Sequence, residues 1–104
     1  MSKKYTFTIN DYKWTLMFVD VAELPEKTDG TTLYNERTIL IRNDLNRITT
    51  GIVIRHELTH AILCTQGRWS QNNFNQEDVC EFVGFQLPTI NRITKGILGT
   101  LGDE

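Results

Sequence analysis

The chain has few of the residues that usually announce a function. Its 104 residues include two His, two Cys and two Pro. Two cysteines are too few for a disulfide framework, so Cys64 and Cys80 are expected as free, partly buried thiols of a cytoplasmic protein. No apolar run reaches the ~18 residues of a spanning helix, and residues 1–10 lack the apolar core of a signal peptide, so no membrane partner is expected. An excess of one charge is also missing. Eleven basic and 13 acidic side chains leave a net charge of −2, which gives no field for nucleic acid and excludes it as an expected partner. A chain of this length buries about two-thirds of its unfolded surface, which suits a single domain over residues 1–104. A hydrophobic content of 39% points to a folded globule and not to a disordered chain.

What is present is first a β-rich stretch. Thr6–Ile9 and Lys13–Val19 flank the turn-forming pair Asn10-Asp11, the pattern of a hairpin. Pro25 and Lys27-Thr28-Asp29-Gly30 interrupt it, and Thr38–Ile41 predicts a third strand. From Asn43 onward the pattern becomes helical. Asn43, Asp44 or Asn46 can cap a helix that runs to about Gln66, with Gly67 placed to end it. Ile52-Val53-Ile54, Leu58 and Ala61-Ile62-Leu63 are apolar on more than one face, so this helix is expected at the centre, touched from several sides. Gly51 within it implies a close neighbour or a local weakness. The polar stretch 68–75 predicts a loop, and Asn75–Leu87 a second helix ended by Pro88. A short third helix over Thr89–Leu98 and a frayed end follow. The fold class is therefore α+β: about three N-terminal strands, then an active-site helix and a ligand helix.

The first long helix carries His56-Glu57-Leu58-Thr59-His60, the His-Glu-x-x-His pattern of zinc hydrolases. Four residues of α-helix rise about 6 Å and turn about 400°, so the two imidazoles share a face and can reach one tetrahedral Zn²⁺. Glu57 is rotated about 100° from His56, placed to act as general base on a zinc-bound water without itself being a ligand. Scattering two His and seven Glu over the chain at random gives this pattern roughly once in 800 trials. Both His of the protein are consumed by it.

A hydrolytic zinc site takes three protein ligands and one open position. With no His left, the third ligand must be a carboxylate or a thiolate, and Leu63 and Gln66 stand where a metzincin would have Gly and His. The downstream acids are Glu77, Asp78, Glu81, Asp103 and Glu104. Glu77 and Glu81 share a face of the second helix, and Asp78 points about 100° from Glu77. Cys64 and Cys80 are better read as packing. Tyr34, Arg68 and Trp69 are candidates by residue type for stabilising an oxyanion.

Glu77 and Glu81 resemble the gluzincin pair, in which a downstream helix supplies a Glu ligand and, four residues on, an acid that holds a ligand imidazole. His56-Glu57-Leu58-Thr59-His60-Ala61-Ile62-Leu63, followed by the stretch from Glu77 through Phe82 to Pro88, resembles the ImmA/IrrE-type metallopeptidases and the small zincin-like proteins of phages and prophages. The resemblance covers about residues 45–88. It implies a minimal zincin-like domain with His56, His60 and Glu77 as zinc ligands, Asp78 as the alternative ligand and Glu57 as the catalytic base. It also implies peptide-bond hydrolysis on a peptide or protein substrate, such as a phage or prophage regulator, with Thr38–Arg42 as the edge strand beside the active-site helix. The alternative from another class is a catalytically inactive zincin-fold module that binds or regulates a phage or prophage protein.

Overall fold

The computed structural model describes residues 3–65 and 76–101. These residues form β1 (Lys4–Ile9), β2 (Tyr12–Val19), β3 (Gly30–Leu33), β4 (Thr38–Arg42), α1 (Arg47–Thr65), α2 (Gln76–Phe85) and α3 (Leu87–Thr100). The class is α+β. β1 and β2 are the expected hairpin, in which Ile9 pairs with Tyr12 across a two-residue turn. Both turn residues, Asn10 (φ 49°) and Asp11 (φ 68°), are left-handed. That is the turn whose twist matches the flanking strands, and Asn and Asp tolerate it best after Gly.

The sheet order is β1-β2-β4-β3. β4 runs parallel to β2 and antiparallel to β3. Two expectations are corrected here. The described sheet has four strands and not three, because Gly30-Thr-Thr-Leu also pairs. In addition Thr38–Arg42 is an inner strand, and the edge beside α1 is β3. The run Thr38–Ile41 is apolar because it is interior: Ile39 and Ile41 are fully buried. β3 is four residues long with no apolar run, so it carries no sequence signature of its own.

α1 starts where Asn46 Oδ1 accepts the Thr49 N–H at 2.8 Å, one of the expected caps. Its buried side is Thr50, Gly51, Ile54, Glu57, Leu58, Ala61 and Ile62, a helical i, i+3, i+4 stripe. That stripe packs on β3, β4 and α3, while Ile48 and Ile52 stay exposed. At Gly51 a Cβ would lie 3.4 Å from Leu98 Cδ1 of α3, ordinary van der Waals contact, and 3.1 Å from the flexible end of Arg55, so of the two expectations the local weakness fits better than a close neighbour. α3 contributes Ile90, Ile93, Thr94 and Ile97 at the same period, closing a core with Trp14, Leu16, Ile39, Ile41, Ile54 and Leu58. Pro88 lies in the first turn of α3, where its missing N–H costs nothing. The expected loop over 68–75, the caps Gly67 and Asn75 and the chain end 102–104 lie outside the described residues. Among the described residues no helix is long and apolar enough to cross a membrane.

Candidate functional site

The site is built on the exposed side of α1. Taking His56 as zero around the helix axis, Leu63 falls at about −20° and Thr59 at about −60°. On the other side His60 falls at about +40°, Val53 at about +60° and Glu57 at about +100°. The imidazoles therefore sit between two different flanks. Their ring centroids are 4.9 Å apart at an interplanar angle of 75°, and the His56 side chain is 67% exposed. Two accessible imidazoles this close on one face fit a zinc ion as two of its ligands.

Glu57 is 6% exposed, an uncommon burial for a carboxylate that calls for a partner. The partner is Thr32 of β3, whose Oγ1 donates to Glu57 Oε1 at 2.7 Å and lies 3.3 Å from the Glu57 carbonyl oxygen. Oε2 is 3.9 Å from His56 Nε2. One carboxylate oxygen is held by the sheet, and the other is on the imidazole side.

β3 follows α1 along this flank. A Cβ on Gly30 would meet Val53 Cγ1 at 2.9 Å and Glu57 Cγ at 3.3 Å. Thr32 meets Glu57, and Tyr34, just beyond the strand, lies within the electrostatic reach of Glu57 and Cys64. Burial, then the Cys64 and Glu57 charges, raise the Tyr34 hydroxyl above the usual phenol value. Among the described residues nothing pairs with the outer edge of β3. On the opposite flank Thr59 and Leu63 join Val79, Phe82 and Val83 of α2 around an apolar groove of about 190 Å³.

A stretch of 46 residues is 39% identical to protein DA1-related 6 of Arabidopsis thaliana. It makes up 44% of this chain and 7% of that protein. No family model and no solved structure matches the chain.

The remaining sequence candidates are placed as follows. His56, Glu57 and His60 come together on α1. Glu77 and Glu81 are exposed on α2, about 160° to 200° around that helix from Val79, and Asp78 is half-buried. Among the described residues no group of three His, Cys, Asp or Glu that could hold a metal ion is gathered. Cys64 is half-buried and Cys80 exposed. The exposure of Cys80 corrects the expectation of a buried thiol, since α2 has no buried residue. Tyr34 lies beside the Glu57 flank, whereas Arg68, Trp69, Asp103 and Glu104 are outside the described residues. Sequence reasoning missed Thr32 and Gly30. A threonine in a short strand gives no signal of the carboxylate it meets 25 positions later.

Proposed function

We propose that the chain is a small zinc-dependent metallopeptidase of the ImmA/IrrE-like kind, acting on an extended peptide laid along β3. The observation that carries this reading is the arrangement on α1: two exposed imidazoles on one face, flanked by a buried carboxylate that Thr32 holds by one oxygen. His56 and His60 would hold the metal, with Glu77 third on its place in the chain, and zinc supplies Lewis-acid polarisation of the peptide carbonyl and of water.

Glu57 does the proton work. As water adds to the carbonyl carbon, Glu57 takes a proton from it. It returns that proton to the leaving amine when the C–N bond breaks. Thr32 restricts the carboxylate to one orientation, which removes a rotational search from each turnover. The outer edge of β3, unpaired among the described residues, would offer backbone donors and acceptors to a substrate strand.

The test is zinc content combined with hydrolysis. Purified protein should carry close to one equivalent of zinc, and His56→Ala should lose it. Glu57→Gln should keep zinc and cut nothing. Protein that binds no zinc overturns the reading. Zinc-loaded protein that cleaves neither casein nor repressor-like proteins would instead be a non-catalytic zincin-fold module.

A further inference from the structure

At the end of the sheet where β3 stops and β2 and β4 begin, a cavity of about 270 Å³ lies under the last turn of α1. Its walls are Tyr12, Trp14, Tyr34, Arg37, Cys64 and Thr65. We infer that this cavity is a substrate subsite that selects a carboxylate in the peptide bound along β3. The inference rests on the metallopeptidase reading and adds the class of substrate.

Position comes from the path of β3. The strand passes Glu57 at Thr32 and reaches the cavity at Tyr34, while α1 advances from Glu57 to Cys64. Seven helical residues span about 10 Å, and an extended peptide covers that length in about three residues. By the strand path from Thr32 to Tyr34 and by the helix rise, the subsite therefore reads a side chain about two to three positions from the bond to be cut.

Chemistry comes from the walls. Among the described residues no acidic side chain lines the cavity. Arg37 stacks over Tyr12, with its guanidinium carbon 5.3 Å from the ring centroid, and pairs with no acid among the described residues. Trp14 is 1% exposed, and its Nε1 has no hydrogen-bond partner among the described residues. That indole donor is shut inside the wall, so the accessible donor is the exposed Arg37, a cation that calls for an anionic acceptor, and a carboxylate matches it. The carbonyl end of α1 disfavours an anion, so the selection must depend on Arg37.

The test is binding to the full chain carrying Glu57→Gln, which needs no hydrolysis. The probes are fluorescein-labelled octapeptides of Ala and Ser with a single Glu or Gln, each with a free or an amidated C-terminus. The Glu peptide should bind about tenfold more tightly than the Gln peptide, in line with one charged hydrogen bond. If the amidated C-terminus loses that factor and the side chain does not matter, the carboxylate selected is the terminal one. Arg37→Gln should abolish or reverse the preference, and Arg37→Lys should keep part of it. Equal binding of acid and amide probes, or a preference indifferent to Arg37, overturns the inference. A wild-type protein that cuts nothing would count against the peptidase reading alone.

Discussion

Thr32 Oγ1 donates a hydrogen bond to Glu57 Oε1 at 2.7 Å, tying the strand at the open edge of the sheet to the middle of the central helix. A buried carboxylate with a donor on one oxygen has one orientation, and its other oxygen is 3.9 Å from His56 Nε2. Thr32→Val keeps the shape and removes the donor. The cost to stability should be about 1–3 kcal/mol, read from urea unfolding. On the proposed function, kcat should fall about tenfold, which corresponds to about 1.4 kcal/mol of barrier, with zinc content unchanged. Thr32→Ser should restore both.

Gly30 allows this approach. A Cβ there would sit 2.9 Å from Val53 Cγ1 and 3.1 Å from the Leu40 carbonyl oxygen. Val53 can shift, but the Leu40 carbonyl belongs to the paired strand and cannot. Gly30→Ala should therefore destabilise by about 1–3 kcal/mol and separate β3 from α1. Thermal unfolding measures the first effect. Amide exchange at Thr31 and Thr32 measures the second.

The hairpin, the inner strand and the three helices were legible because each carries a local signal. Asn10-Asp11 marks a turn, Thr38–Ile41 is apolar because one face is buried and the other half-buried, and the helices have their apolar period, with an Asn46 cap on α1. The His56, Glu57 and His60 grouping was legible for the same reason, since one helix sets its geometry. Thr32 and Gly30 were not, because their importance comes from a contact between segments distant in sequence. The edge was misplaced on Thr38–Arg42 for a related cause: β3 is too short and polar to announce itself, and its presence moves β4 inward.

The third zinc ligand is decided by metal content. Glu77→Gln, Asp78→Asn and Glu81→Gln are conservative changes in α2, which contains no buried residue, so each should fold. On the proposed function Glu77→Gln should lower zinc affinity at least about tenfold, in the manner of a lost ligand. Glu81→Gln should lower it less. Equal zinc affinity in Glu77→Gln and wild type would remove Glu77 from the ligand set.

Tyr34 gives a pH dependence with a definite sign. Burial, then Cys64 and Glu57, hold its hydroxyl protonated above the usual phenol value, so the native state binds that proton more tightly than the unfolded chain. The resulting stability is fully present below about pH 10, the unfolded value, and is lost as pH rises through the higher folded value. The urea midpoint of the wild type should drop above about pH 10. In Tyr34→Phe the drop should be smaller over the same window.

Gly51 gives a prediction of opposite sign to Gly30. It lies inside α1, where Gly costs about 1 kcal/mol relative to Ala. A Cβ there would meet Arg55 NH1 at 3.1 Å and Leu98 Cδ1 at 3.4 Å. The first is the far end of an exposed, flexible side chain, held by Asn91 Oδ1 through a 3.3 Å bond from Arg55 Nε, and it can turn aside. The second is ordinary van der Waals contact. No backbone atom stands in the way, unlike the Leu40 carbonyl at Gly30, so the propensity gain should exceed the packing cost. Gly51→Ala should stabilise the protein by roughly 0.5–1 kcal/mol, seen as a higher urea midpoint with an unchanged slope. A lower midpoint would mean that α1 and α3 are packed too closely at this point for Leu98 to yield.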